Sequence, residues 1–281
     1  MYSKYGVLNV VVQPHPNRAY RRLFEAASQV NDGDRIGVRF FGDQFAAISP
    51  ISETRNGVFS GRIAIWTEID PESNMIQKSS LRETLLADSG ISLPDDVGFN
   101  SRIFAFAFRE ANHRLFVELL NDEDRSISVG RARQAFNAIL QHFCPDEFES
   151  AEVYVVPRKN AVDQVLSTPG LKKIEIVLDV PNPDDLSEEK QKLLDEVNEM
   201  RAKRLKSEIT KRAGADSLEL TGRYKDLAEL AQDTGYVTAT GARDGEKIER
   251  STKSYPEEIE AELPENSSRA AYTRDVAENR E

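Results

Sequence analysis

Cysteine is nearly absent from this chain. The single Cys144 excludes an intrachain disulfide and any cysteine-based zinc cluster. Histidine is almost as scarce: His15, His113 and His142 are the only three, too few for a histidine-rich metal cage. Long apolar runs are missing as well. The opening run Val7–Val12 is short and interrupted by Asn9, which suits neither a secretory leader nor the roughly 20 apolar residues that cross a bilayer. No G-x-x-x-x-G-K-[ST] loop, no G-x-G-x-x-G after a strand and no G-x-S-x-G elbow occurs, so a P-loop nucleotide hydrolase and an elbow-type serine hydrolase are excluded. These absences predict a cytoplasmic chain with no membrane insertion, no cofactor and no metal.

A net positive charge is also lacking. Lys plus Arg is 37 against 48 for Asp plus Glu, giving −11 over 281 residues. Residues 1–183 hold 20 basic and 24 acidic residues, and residues 184–281 hold 17 and 24. No whole-molecule field attracts nucleic acid, although local basic patches act over a Debye length of about 8–10 Å.

What is present is alternation between β-rich and helical segments. Val7–Gln13 reads as a buried strand ended by Pro14 and Pro16, followed by a helix over Ala19–Val30 capped by Asn17. Two β-rich segments, Arg35–Ile51 and Val58–Ile69, precede an irregular stretch at 71–100 with one short helix at 79–87. Arg102–Phe108 and Arg114–Leu120 read as a hairpin, with Glu110-Ala111-Asn112-His113 between them. Ser128 caps a helix to Phe143, then come a strand at Glu152–Val156, a helix at Ala161–Leu166 and a strand at Lys172–Val180. The order predicts an α+β domain over 1–183, with a mixed or antiparallel sheet and helices on one face. Two ferredoxin-like halves are one topology that satisfies it.

Pro181-Asn182-Pro183 then breaks the chain. A long charged helix is expected over 187–212, with Leu194, Val197, Leu205 and Ile209 on one narrow stripe. It opens a 184–255 extension that adds a helix at Leu218–Ala231 and a hairpin around Asp244-Gly245. Residues 256–281 are polar and read as a largely disordered tail with one short terminal helix near 267–278.

Candidate site residues fall into three groups. Arg18, Arg21 and Arg22 with interleaved Tyr20, together with Arg131 and Arg133, form basic patches of the kind that contact phosphates while aromatics stack on bases. The cluster Lys203 to Arg212 is equally explained by the dipole of the expected helix. Glu68 and Asp70 share a face at a strand end, and Glu118 would join them as a metal-binding carboxylate set if its strand were adjacent. His15, beside Arg18, Arg21 and Arg22, has the residue types of a metal-independent ribonuclease, with His113 as a further candidate. That layout resembles ferredoxin-like CRISPR RNA endonucleases, but only Pro169-Gly170 stands where they carry a glycine-rich loop. Phe40, Phe41, Phe45, Phe104, Phe106 and Phe108 read as core, and Trp66 lies on the more polar face of its strand.

Six segments carry a family likeness: Val7–Pro16, Gly61-Arg62-Ile63-Ala64-Ile65-Trp66-Thr67, His113-Arg114-Leu115-Phe116-Val117-Glu118-Leu119, Leu171 to Leu186, Gly235-Tyr236-Val237, and Ser251-Thr252-Lys253-Ser254-Tyr255-Pro256. Over roughly residues 5–256 the chain resembles a bacterial domain-of-unknown-function family, number 4747. The resemblance implies a setting in prophage, mobile-element and antiphage-defence neighbourhoods, and it brings no catalytic residues. The expected function is binding of a nucleic acid or a partner protein, with self-association through the 187–212 helix as one route. The enzymatic alternative is a nuclease acting through Glu68 and Asp70 or through His15.

Overall fold

The computed structural model describes residues 2–16, 18–29, 37–53, 57–70, 72–94, 96–180, 188–262 and 268–279. Asn17, the Asn31-Asp32-Gly33-Asp34 turn and the Pro181–Ser187 breaker lie outside them.

β1 (Tyr2–Gln13) organises the first sheet. Leu8, Val10 and Val12 are buried on one face, and Tyr5 and Val7 on the other. Burial on both faces is why this strand reads as a nearly continuous apolar run. The chain then forms α1 (Ala19–Ala27), β2 (Val38–Phe41), β3 (Gln44–Ile48), β4 (Ser52–Glu53) and β5 (Val58–Thr67). β6 (Asn74–Gln77) and β7 (Arg82–Leu85) pair only with each other. β8 (Phe99–Arg109) and β9 (Arg114–Glu118) follow, then α2 (Val129–His142) and β10 (Ser150–Val155). Strand order is β10-β1-β9-β8-β5-β3-β2, antiparallel throughout.

Within that sheet β1, β8, β9 and β10, with α1 and α2 as crossovers, have the ferredoxin-like order. This replaces the two halves considered from sequence. β1 of the first half sits between β9 and β10 of the second, so there is one such core, with β2–β7 inserted after α1. Phe24, Phe104, Phe106, Phe108 and Phe136 fill the face under α1 and α2.

A second sheet, ordered β12-β11-β13-β14, is also antiparallel. It contains α3 (Ala161–Leu166), β11 (Lys173–Asp179), α4 (Glu188–Glu199), β12 (Arg204–Thr210), α5 (Arg223–Thr234), β13 (Gly235–Arg243) and β14 (Glu246–Ser251) in chain order. Ile174, Ile176, Leu178, Leu227, Leu230 and Val237 form its core. Asp244 and Gly245 both have positive φ, 52° and 86°, as the expected two-residue hairpin turn requires.

The α+β class with an antiparallel sheet is the observed architecture, and several finer expectations are corrected. The helix over 187–212 ends at Glu199, and 204–210 is the strand β12. Leu205 and Ile209, four residues apart, fit both a helical stripe and alternation with Ser207; pairing to β11 decides for the strand. The strand expected to close the first domain is β11, at the centre of the second sheet, so position 183 is not the border between the sheets. The tail is more ordered than expected: it holds β15 (Glu258–Glu262), which pairs with the first half of β1, before α6 (Arg269–Asn279), the helix expected near 267–278. α6 packs on β5, β8 and β9 and buries Val276 and Ala277 against the face opposite α1 and α2. Helices therefore cover both faces of the first sheet. The helix expected at 79–87 is instead the β6–β7 hairpin followed by a 3-10 turn at Leu86–Ser89.

Candidate anion-binding cleft

Between the two sheets lies a cleft of about 620 Å³. One wall is the face of α2 that carries Gly130, Gln134 and Asn137. The Ser128 hydroxyl caps this helix by accepting from the Arg131 N–H at 3.3 Å, as the sequence predicts. Arg131 and Arg133 both line the cleft. The opposite wall is built by the second sheet and the 3-10 turn Thr252–Ser254, which contributes Lys253.

The way these cations are held decides their electrostatic effect. The Arg131 guanidinium lies over the Phe41 ring, 3.0 Å from its centroid. The Lys253 ammonium lies 3.3 Å from the Tyr236 centroid. Among the described residues, no carboxylate forms an ion pair with Arg131, Arg133 or Lys253. An aromatic face positions a cation without cancelling its charge. Burial, reinforced by Arg133 and Arg204 and opposed by Glu175, pushes the Lys253 ammonium below its usual range. Positive charges are thus concentrated here beyond what local acids offset.

The floor has the opposite character. Tyr154 Oη lies 2.7 Å from Glu152 Oε2 and 3.0 Å from Asp179 Oδ2. Arg204 grips Asp179 with two bonds of 2.6 and 2.8 Å, and Lys203 pairs with Glu152 at 2.8 Å. Burial first, then the two carboxylates, drives the Tyr154 phenol far above its usual range, so it keeps its proton.

The remaining basic candidates are differently placed. Arg21 pairs with Glu25 and Glu53 (2.9 and 2.6 Å), and Arg22 with Glu147 (3.0 Å). Tyr20 is buried and donates its hydroxyl to the Val10 carbonyl at 3.0 Å, which removes it from any stacking surface. Arg18 is exposed at the start of α1, with left-handed backbone.

His15 and His113, far apart in the sequence, meet. The hairpin register places His113 beside Val10, and the ring centroids of His15 and His113 are 5.0 Å apart. Tyr20 lies 4.8 Å from His113 and 5.1 Å from His15. Glu110 belongs to the same corner. Burial and Glu53 raise its carboxyl pKa, and His15, Arg18 and Arg21 oppose the rise. His113 is buried, whereas His15 and Glu110 reach solvent. Rings in edge contact leave no room for a phosphate between them, so only His15 is placed to meet a substrate.

The carboxylate set does not assemble. β8 stands between β9 and β5, separating Glu118 from Glu68 and Asp70. Glu118 is committed to the Ala105 N–H (2.9 Å) and to Arg269 (2.8 Å). Glu68 accepts from the Trp66 indole at 3.2 Å, and Asp70 from the Glu72 N–H at 2.8 Å. Among the described residues, no three His, Cys, Asp or Glu side chains converge to hold a metal ion.

Sequence reasoning missed Lys253, Arg204 as a cleft residue, Tyr154 and Tyr236. The signal was present for one pair: Tyr236 and Lys253 flank a hairpin whose turn was legible.

The family model for a domain of unknown function, DUF4747, matches residues 1–278. The chain belongs to the DUF4747 family. No curated protein matches this DUF4747 chain. Among its described residues, no helix is long and apolar enough to cross a membrane.

Proposed function

We propose that this DUF4747 protein binds single-stranded nucleic acid in the cleft between its sheets. The carrying observation is that Arg131 and Lys253 are held by aromatic faces beside Arg133, so their charge is not neutralised. Phosphate contacts need such local cations rather than a positive net charge. The test is fluorescence anisotropy with short labelled RNA and DNA strands. Arg133→Ala and Lys253→Ala are each expected to weaken binding about tenfold at low salt, roughly 1.4 kcal/mol. Arg21→Ala, whose side chain is already paired with Glu25 and Glu53, should leave binding unchanged. Wild-type affinity in both cleft variants would refute the reading.

The setting in phage–host conflict that the resemblance implies supports a defensive role for this binding. Phage plating on cells carrying the wild type or the Arg133→Ala, Lys253→Ala double variant tests it; plating that ignores the protein counts against it.

A second reading, metal-independent RNA cleavage, draws support from His15 held against Tyr20 and His113 beside Glu110. It requires RNA cleavage in chelator that His15→Ala abolishes.

A further inference from the structure

The α2 wall of the cleft carries two side-chain amides, Gln134 and Asn137. They stand three residues apart, so they are neighbours on one helix face, about 5–6 Å apart at Cβ. Each has its oxygen engaged inside the protein. Asn137 Oδ1 accepts the Val153 N–H at 2.9 Å, on the open side of the edge strand β10. Gln134 Oε1 accepts from the Arg131 guanidinium at 3.3 Å. Both partners can only donate, so these contacts fix which end of each amide is oxygen. Among the described residues, Asn137 Nδ2 and Gln134 Nε2 have no hydrogen-bond partner, and neither atom is buried. The wall therefore offers the cleft a pair of NH2 donors, with both carbonyl ends turned away.

We propose that Gln134 and Asn137 select bases with two adjacent acceptors, so that the cleft reads guanine or cytosine in preference to adenine or uracil. This rests on the nucleic-acid reading above and deepens it. An Asn or Gln amide recognises adenine by accepting from N6 while donating to N7, which needs its oxygen beside the base. Here the oxygens face the protein, so the adenine N6 amino group meets another donor. Guanine presents O6 and N7, both acceptors. A single-stranded base also exposes its pairing edge, where cytosine presents O2 and N3. Uracil sets an N–H between its two carbonyls. The same chemistry thus comes from two bases, and a strand whose phosphates meet Arg133 and Lys253 can bring either one to α2.

The test is fluorescence anisotropy of the full chain with short labelled oligouridines carrying one central guanine, cytosine, adenine or 7-deazaguanine. A guanine or cytosine strand is expected to bind about tenfold more tightly than the adenine or all-uridine strand, the worth of one well-made pair of donor contacts. A guanine gain that disappears with 7-deazaguanine, which lacks the N7 acceptor, assigns the contact to guanine. A gain with cytosine alone assigns it to the pairing edge. Asn137→Asp keeps an acceptor for the Val153 N–H and removes the donors, so it should flatten the ratio between bases. Arg133→Ala should weaken every strand alike and keep that ratio. The strand series on the wild type decides the matter even where a variant folds poorly. Equal binding of all strands, a preference for adenine or uracil, or a guanine gain that 7-deazaguanine retains overturns this inference and leaves the broader cleft reading standing. If no strand binds, the cleft reading itself fails.

Discussion

Replacing Arg269 by alanine should strand a buried negative charge. Glu118 is 2% exposed, with Oε2 accepting the Ala105 N–H and Oε1 held by Arg269 at 2.8 Å. Arg269 also donates to the Leu120 carbonyl, so it fastens the first turn of α6 to the end of β9. Removing one member of such a pair costs about 3–5 kcal/mol, because the other is left uncompensated in a poorly solvated site. There is a competing route. α6 can detach and let water reach Glu118, at the cost of exposing Val276 and Ala277 and part of Tyr272. Full burial of a valine-sized side chain is worth about 1.5–3 kcal/mol, so detachment is comparable in cost and caps the loss. In either case α6 protection falls, which hydrogen exchange over residues 268–279 reads directly, and urea denaturation gives the global part. Glu118→Gln removes the charge and keeps an acceptor for Ala105, so it should cost only about 1–2 kcal/mol. The decisive comparison is the double variant. If the penalty comes from a stranded charge, Glu118→Gln, Arg269→Ala must be more stable than Arg269→Ala alone. A double variant less stable than that single one would refute the reasoning.

Two smaller expectations follow from other parts of the structure. Burial and Glu53 raise the Glu110 pKa, so the folded state favours its protonated form. That contribution is present below the usual carboxylate range and fades as pH rises through the raised value, so Glu110→Gln should stabilise the protein at pH 7 and much less at pH 4 in urea titrations. A methyl group at Gly98 would run into the Trp66 ring; Gly98→Ala should therefore shift the emission of this single tryptophan and lower stability, and an unchanged spectrum would show that the ring is not packed there.

Local elements were legible where one period and one terminator agreed. α2 begins at its serine cap, α3 spans Ala161–Leu166 as its apolar spacing predicts, and the β13–β14 turn falls on Asp244-Gly245. Legibility failed where the deciding partner was remote. Residues 204–210 become a strand because β11 offers an edge, and β15 forms because β1 is long enough to pair β15 along its first half and β10 along its second. In the tail α6 falls where the sequence places a short terminal helix, near 267–278, whereas β15 has its partner more than 250 residues away in β1. The site was half visible. Arg131 and Arg133 stand out in the first turn of a capped helix, and Glu25 one turn after Arg21 is a local partner, but nothing local reveals the ion pairs of Arg21 with Glu53 and of Arg22 with Glu147, far along the chain. Nor does the sequence show that Phe41, which reads as core, and Tyr236 serve as props for cations.

The charge of −11 and a cationic cleft are compatible, and their combination has a consequence. Screening confines the cleft potential to about 8–10 Å at physiological salt, so the acidic exterior does not cancel it. The same exterior repels polyanions that approach anywhere else. Only a ligand able to enter the cleft gains the attraction, and it makes few phosphate contacts once inside. Each neutralised phosphate contributes roughly −0.7 to the logarithmic salt slope for single strands, so two phosphates, one at Arg133 and one at Lys253, imply a slope of about −1.4. A basic, whole-surface binder would show a much steeper dependence. Shallow salt sensitivity together with an effect of Lys253→Ala is therefore the joint signature of recognition confined to this cleft.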